Sequence, residues 1–210
     1  LWGDDGKPLA LVEAKRTMRS AEEGRVQGGL YADCLERMTG QRPVIFYTNG
    51  FETWIWDDVF ASPRPLQGLY TRDELQLLVD RRRTRADLRN MPVDMAIAGR
   101  YYQREAIQRV AEAWVTEHEG RLRAKRRRAL VVMATGSGKT RTAAALVEVL
   151  MKANWAKRIL FLADRNSLVT QAKRAFEKHL PNVTTLDLTK SRYEESARVV
   201  FSTYPTMLNR

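Results

Sequence analysis

Between Ala129 and Leu150 an apolar stretch, Leu130-Val131-Val132-Met133-Ala134, leads through Thr135-Gly136-Ser137-Gly138-Lys139-Thr140 into an Ala-rich segment of helical character. No other feature constrains the fold as strongly. Glycines let backbone N–H groups turn inward, and a helix N-terminus adds partial positive charge, so strand, glycine loop and helix in this order cradle phosphates. Thr135, Gly136, Ser137 and Gly138 supply the cradle. Lys139 is expected to reach the β- and γ-phosphates of a nucleotide and the Thr140 hydroxyl to hold Mg2+. The strict G-x-x-x-x-G-K-[ST] pattern would put glycine where Met133 stands, whereas the variant A-T-G-S-G-K-T fits without a gap. Strand and helix alternate onward through Leu180, with a further strand at Val199–Thr203. That alternation predicts the α/β class, with a parallel sheet covered on both faces.

Composition narrows the partners. The 210 residues carry 36 Lys and Arg against 25 Asp and Glu, a net charge of +11, which points to a polyanion. A hydrophobic content of 44% with five Trp supports a packed core and excludes a disordered basic arm. One cysteine, Cys34, excludes an intramolecular disulfide and a Cys-rich zinc site, and reads as a buried, inert thiol of a reducing compartment. No apolar run approaches the ~20 residues that cross a bilayer, so a soluble cytoplasmic protein without membrane contact is expected. His118 and His179 follow no ligand spacing and read as solvated or helix-end residues. With Leu1 in place of an initiator Met and an apolar run just before Arg210, the chain reads as a piece of a longer polypeptide.

The N-terminal part is organised differently. Leu1-Trp2, a Gly3–Pro8 turn and Leu9–Lys15 predict a β-hairpin. Glu22–Met38 predicts a helix with Val26, Leu30 and Cys34 on its apolar face, although Gly28-Gly29 inside it cost roughly 1 kcal/mol each relative to Ala. Pro43–Thr48 and Phe51–Trp56 flank Asn49-Gly50, a strong hairpin signal; Trp54 and Trp56 read as packing residues. Ser62–Pro65 reads as a loop, and Thr71-x-x-Glu74 as a capping box that opens a helix with Leu75, Leu78 and Val79 on one face. Two basic runs, Arg81–Arg85 and Arg121–Arg128, could follow DNA phosphates, and the first reads nearly as well as a solvated linker. A helix is expected from Tyr102 to His118. The expected division is 1–85, a linker at 86–97, and 98–210.

On a strand, residues two apart face the same way, so Glu13 and Lys15 project together. A carboxylate ligates Mg2+, and a neighbouring ammonium orients water or stabilises charge developing on a phosphorane. Gln27 and Tyr31, at i and i+4, share a face of the next helix.

E-x-K on a strand followed by Q-x-x-x-Y on the next helix resembles the PD-(D/E)-x-K nuclease core. Ala134–Thr140, with Gln103 upstream and two strand-end motifs downstream, resembles the first motor domain of superfamily-2 helicases. The two in this order, with Leu30–Cys34, Arg42–Gly50 and Ala98–Gln103 between, resemble the motor and endonuclease subunit of type I restriction enzymes over essentially the whole chain.

The resemblance implies the C-terminal part of a restriction-endonuclease-like α/β core at 1–85 with a helical extension. The first half of a RecA-like parallel-sheet motor would follow at 98–210. It gives Glu13, Lys15, Gln27 and Tyr31 catalytic roles, with Glu13 on metal, and makes Gln103 the adenine reader. Asp164 and Arg165, and Ser202, Thr203 and Tyr204, would grip a DNA backbone. It implies ATP and Mg2+ as cofactors and double-stranded DNA as substrate, with methyltransferase and specificity subunits as partners. The family's first metal-binding acid falls at or before Leu1, and no D-E-[AC]-[HD] motif follows Thr140. The stretch is therefore expected to bind nucleotide without turning it over, and to lack a complete cleavage site. Alternatives are a type III or single-chain restriction motor or another nuclease-fused helicase and, from other classes, a small-molecule NTPase or a silent nucleic-acid-binding module.

Overall fold

The structure is a computed structural model that describes residues 1–118, 120–126, 128–191 and 196–208. Its chain divides into two compact units, Leu1–Arg85 with Thr116–Arg127, and Ala86–Val115 with Arg128–Arg210. Residues 86–97 pack within the second unit, burying Leu88 and Ile97, and do not form a separate linker. Residues 116–127 return to the first unit.

The first unit is built on a four-stranded sheet in the order β1 (Ala10–Ala14), β2 (Val44–Thr48), β3 (Thr53–Trp56), β4 (Arg64–Leu66). β1 and β2 are parallel, joined by helix α1 (Glu23–Thr39), and the other pairings are antiparallel. Leu1–Ala10 folds back through a single antiparallel bridge, Trp2 to Pro8, and is a minimal version of the expected hairpin. The β2–β3 connection is a four-residue loop, because Thr48 pairs with Thr53. Asn49 closes it by accepting from the Phe51 and Glu52 amides at 3.1 and 2.9 Å, and Gly50 takes a φ of 90°. The expected loop at Ser62–Pro65 contributes to β4, an edge strand, which is where a ladder tolerates Pro65.

Strand alternation fills both faces of β2. Val44 and Phe46 join Leu9, Ala10, Ile55, Leu75 and Val79 on one side, under helix α2 (Arg72–Thr84). Ile45 and Tyr47 join Ala21 and Ala32 on the other, under α1. The capping box of α2 is formed, Thr71 N donating to Glu74 Oε2 at 2.8 Å and Glu74 N to Thr71 Oγ1 at 3.3 Å. Trp54 and Trp56 pack against the α1 cluster.

The face of α1 is a correction. Val26 and Leu30 are 73% and 59% exposed and Cys34 is exposed; the buried positions are Gly24, Gly28 and Ala32. A Cβ at Gly28 would lie 2.9 Å from Ile45 Cγ2, and one at Gly24 3.2 Å from Glu13 Cγ and Tyr47 Cβ. The helix lies so close to the sheet that only small residues fit between, which accounts for Gly24 and Gly28 inside it.

The second unit opens with a 3-10 turn at Leu88–Asn90 and helix α3 (Tyr101–Trp114), which ends four residues before the expected His118. Val115–His118 instead forms β5, paired with β6 (Arg121–Ala124), so part of the second basic run is a strand; Arg127 lies outside the described residues. After the glycine loop come α4 (Lys139–Lys152), β7 (Ile159–Ala163), α5 (Asn166–His179), β8 (Thr185–Asp187), β9 (Val199–Thr203) and the short α6 (Tyr204–Leu208). The sheet is parallel in the order β7-β9-β8. Phe161, Phe176 and Phe201 form its aromatic centre, with ring centroids 5.2 to 5.6 Å apart. Ala129–Ala134, expected as a strand, forms none: Leu130 and Val132 are 90% and 86% exposed, and no described segment pairs with it. Apolar patterning marks a strand, but a ladder partner is what makes one.

Candidate functional site

The close approach of α1 to the sheet assembles the first cluster. Leu11 and Glu13 point to the α1 side of β1, and the glycine stripe brings the next face of the helix within hydrogen-bond reach of the strand end. Glu13 Oε1 lies 2.8 Å from Lys15 Nζ, with the two side chains 13% and 17% exposed. Lys15 Nζ also donates to Gln27 Oε1 at 2.5 Å, and Gln27 Nε2 donates to Tyr31 Oη at 2.7 Å. All four residues of the expected constellation thus form one chain of contacts, ending at the half-exposed Tyr31. Beside it, Tyr47 stacks on Trp54 and donates to Glu22 Oε2 at 3.0 Å. Burial and that carboxylate push the Tyr47 phenol up, while Arg25 holds the Glu22 carboxyl below its ordinary range. Among the described residues no three His, Cys, Asp or Glu side chains gather as a metal cage.

The second cluster is the glycine loop. Gly136 and Gly138 take φ of 77° and 89°, conformations that favour glycine. Gly138 caps α4, so the helix N-terminus opens directly onto the loop. Lys139 Nζ donates to Met133 O at 2.8 Å, and Ser137 Oγ to Ala134 O at 2.6 Å. Thr140 stands half-buried in the first turn of α4.

Gln103 faces this loop. Its Nε2 donates to Ser137 O at 2.8 Å, its Oε1 accepts from Arg100 N at 3.3 Å, and the residue is 2% exposed. Here the amide grips the loop, whereas the expectation had it open to an adenine; a buried amide needs partners, and the loop carbonyl is the nearest. A Cβ at Gly138 would collide with it. Two neighbours given no role in the sequence reading join in: Tyr102 Oη donates to Ser137 O at 3.1 Å and Arg100 Nη1 approaches Gly136 O at 3.4 Å. Their place in the same short motif as Gln103 was the available signal. Trp155, likewise without an assigned role, donates its indole N–H to Ala86 O at 2.8 Å and anchors the 86–97 segment.

The strand-end motifs meet because β7 and β9 are neighbours, with Ala163 opposite Thr203. Asp164 and Arg165 are exposed and paired at 3.3 Å, and Tyr204 is 63% exposed. Ser202 and Thr203 are 0% and 5% exposed, and their hydroxyls bond Thr203 O and Thr206 Oγ1. Their hydroxyls do not face outward, because both residues lie within the central strand.

A glycine loop at a helix N-terminus beside a parallel sheet makes the second unit an α/β domain built to hold nucleotide phosphates. Residues 96–210 match the family model described as "Type III restriction enzyme, res subunit", and the chain belongs to that family. Its curated relatives are endonuclease subunits of type I restriction enzymes. The EcoAI subunit of Escherichia coli is 36% identical over 186 residues, covering 82% of this chain and 21% of the relative. The EcoKI subunit of Escherichia coli K12 is 37% identical over 118 residues, covering 53% and 9%. The chain therefore spans about a fifth of the length of the first relative. A solved fragment described as an HsdR subunit of a type I restriction enzyme from Vibrio vulnificus YJ016 is 26% identical, with a TM-score of 0.40 over 95% of this chain and 35% of that one. Among the described residues no helix is long and apolar enough to cross a membrane.

Proposed function

We propose that this chain carries the junction of a DNA-cutting unit and a DNA-translocating unit of a type I restriction enzyme. The observation that carries the reading is the continuous contact from Glu13 through Lys15 and Gln27 to Tyr31, in the same chain as a glycine loop that heads a helix. Gln27 Oε1 accepts from the Lys15 ammonium and the Glu13 carboxylate pairs with it, so the ammonium is held at the strand end, aimed where negative charge develops on a phosphate. Mg2+ binds through one or two carboxylates together with substrate phosphates. The single carboxylate of Glu13 fits as one such ligand shared with a DNA phosphate, and bound there the ion would polarise the phosphoryl oxygen. At the loop, Thr140 would hold the Mg2+ that accompanies ATP, and Lys139 would leave Met133 O for the phosphates. Arg165 and Tyr204 would touch the DNA backbone, which positions a duplex without reading its sequence. Double-stranded DNA is the substrate on this reading, methyltransferase and specificity subunits are the partners, and the setting is cytoplasmic.

The test separates the two units. In the intact protein Lys139→Ala should abolish ATP-driven translocation; translocation at the parent rate would sink the motor assignment. Glu13→Ala or Lys15→Ala should abolish cutting and leave ATP hydrolysis intact. Loss of hydrolysis in those variants would make the pair a structural element.

A further inference from the structure

The first unit holds a cavity of about 450 Å3 lined by Arg42, Arg82, Arg83, Arg85 and Arg121, with one acid, Glu36, among its lining residues. It lies at the start of β2, where Gly40-Gln41-Arg42 lead into the strand. Glu13 and Lys15 sit at the opposite end of the parallel β1–β2 pair, so the cavity is separate from that cluster.

Its arginines differ in what they are free to do. Arg42 is committed to Asp58, Asp33 and Glu36, at 2.5 to 2.9 Å. Arg82 is committed to Asp57 at 2.9 Å and to Arg42 O. Arg85 lies over the Phe60 ring, its Cζ 3.6 Å from the centroid, with its stem and head largely out of water. Burial lowers its pKa to about 10 against the pull of Asp57, and Arg81 and Arg82 push in the same direction as burial. Arg83 and Arg121 are exposed and pair with no acid among the described residues. Of the five arginines that line the concavity, Arg83 and Arg121 thus face it without a dedicated carboxylate among the described residues, beside Arg85. Like charges gathered in one concavity repel one another, and a bound anion relieves that repulsion. The guanidinium fork matches phosphate oxygens in pairs, and the volume falls in the range of small-ligand sites, about 300–1,000 Å3.

We infer that this cavity, where the C-terminal end of α2 meets Gly120 and the start of β6, is a binding site for a phosphate group. Arg83 and Arg121 take its oxygens and Arg85 supplies field from the wall. The group is carried either by a DNA backbone or by a free anion of pyrophosphate size.

The two sources are separable in the intact protein carrying Lys139→Ala, which removes the glycine-loop lysine as a competing phosphate contact. Inorganic pyrophosphate should raise the melting temperature of this protein, and adding Arg83→Gln with Arg121→Gln should remove the rise if the ligand is a free anion. If the ligand is DNA, the same pair should lower the slope of log K against log salt for a short duplex by about 1.8, since each contact contributes about 0.9. Both side chains are exposed, so the ligand-free melting temperature should stay with the parent. Should it fall, Arg83→Lys with Arg121→Lys keeps the charge without the fork and should weaken whichever ligand the cavity takes. Unchanged pyrophosphate stabilisation together with an unchanged salt slope would overturn the inference.

Discussion

Gly28 and Gly29 are neighbours in one helix, yet packing gives their replacement opposite signs. Alanine gains roughly 1 kcal/mol over glycine in a helix interior. At Gly29 the added Cβ would meet only Trp56 Cζ3 at 3.8 Å, an ordinary contact, so Gly29→Ala should raise the melting temperature. At Gly28 the Cβ would stand 2.9 Å from Ile45 Cγ2 in a fully buried side chain, and overpacking a filled core costs about 1–3 kcal/mol. Gly28→Ala should therefore melt lower and, by lifting α1 off β1, lengthen the Lys15–Gln27 contact. Thermal melts of the two single variants decide this, and a higher melting temperature for both would refute the close packing. Asp87 carries a pH prediction. The Arg89 guanidinium holds its carboxyl below the ordinary range despite some burial. A carboxyl with a depressed folded pKa contributes stability that is full above its unfolded value, about 3.9, and lost as pH falls through the lower folded one. Asp87→Asn should lower the melting temperature at neutral pH and flatten its fall below about pH 4.

At the scale of elements, what sequence patterning could reach was set by which contacts are local. The glycine loop and the cap of α2 rest on neighbours in the chain and were legible. So was Glu13 with Lys15, since a strand dictates that i and i+2 share a face. The inner face of α1 was not legible. Apolar periodicity selects Val26, Leu30 and Cys34, whereas the packed face is Gly24, Gly28 and Ala32, whose value is lack of size and depends on a sheet elsewhere in the chain. The parallel β1–β2 pairing and the unpaired Ala129–Ala134 share that cause, because strand partners are non-local. The grip of α3 on the glycine loop is of the same kind and yields a prediction. Gln103→Met keeps the volume and leaves Ser137 O without its amide donor. Losing a hydrogen bond worth about 0.5–1.5 kcal/mol should raise the KM for ATP by about two- to tenfold with a smaller change in kcat. Tyr102→Phe should act in the same direction and more weakly, as it removes the longer of the two bonds to that carbonyl. An unchanged KM in both variants would leave the loop independent of α3.

For the molecule as a whole, the net charge of +11 is unevenly placed. Residues 1–85 contain 13 Lys and Arg and 13 Asp and Glu, so the entire excess falls in residues 86–210. The two basic runs also differ in what holds them. In the first, Arg82 is tied to Asp57 and Arg42 O, and Arg85 is laid over Phe60. In the second, Arg123 is tied to the Asp58 and Val59 carbonyls, while Lys125, Arg126 and Arg128 are exposed. A charge already held by an internal partner releases few counterions when DNA arrives, whereas a solvated one that meets a phosphate releases them. Lys125→Gln with Arg126→Gln and Arg128→Gln should therefore lower the salt slope of DNA binding by up to about 2.7 with little change in melting temperature. Arg82→Gln should do the reverse. It strands Asp57, whose side chain is 11% exposed, and breaking a largely buried pair costs about 3–5 kcal/mol, so the protein should melt lower while the slope stays. Equal effects of the two substitutions on the slope would mean that the internal partners of Arg82 do not take it out of contact with DNA.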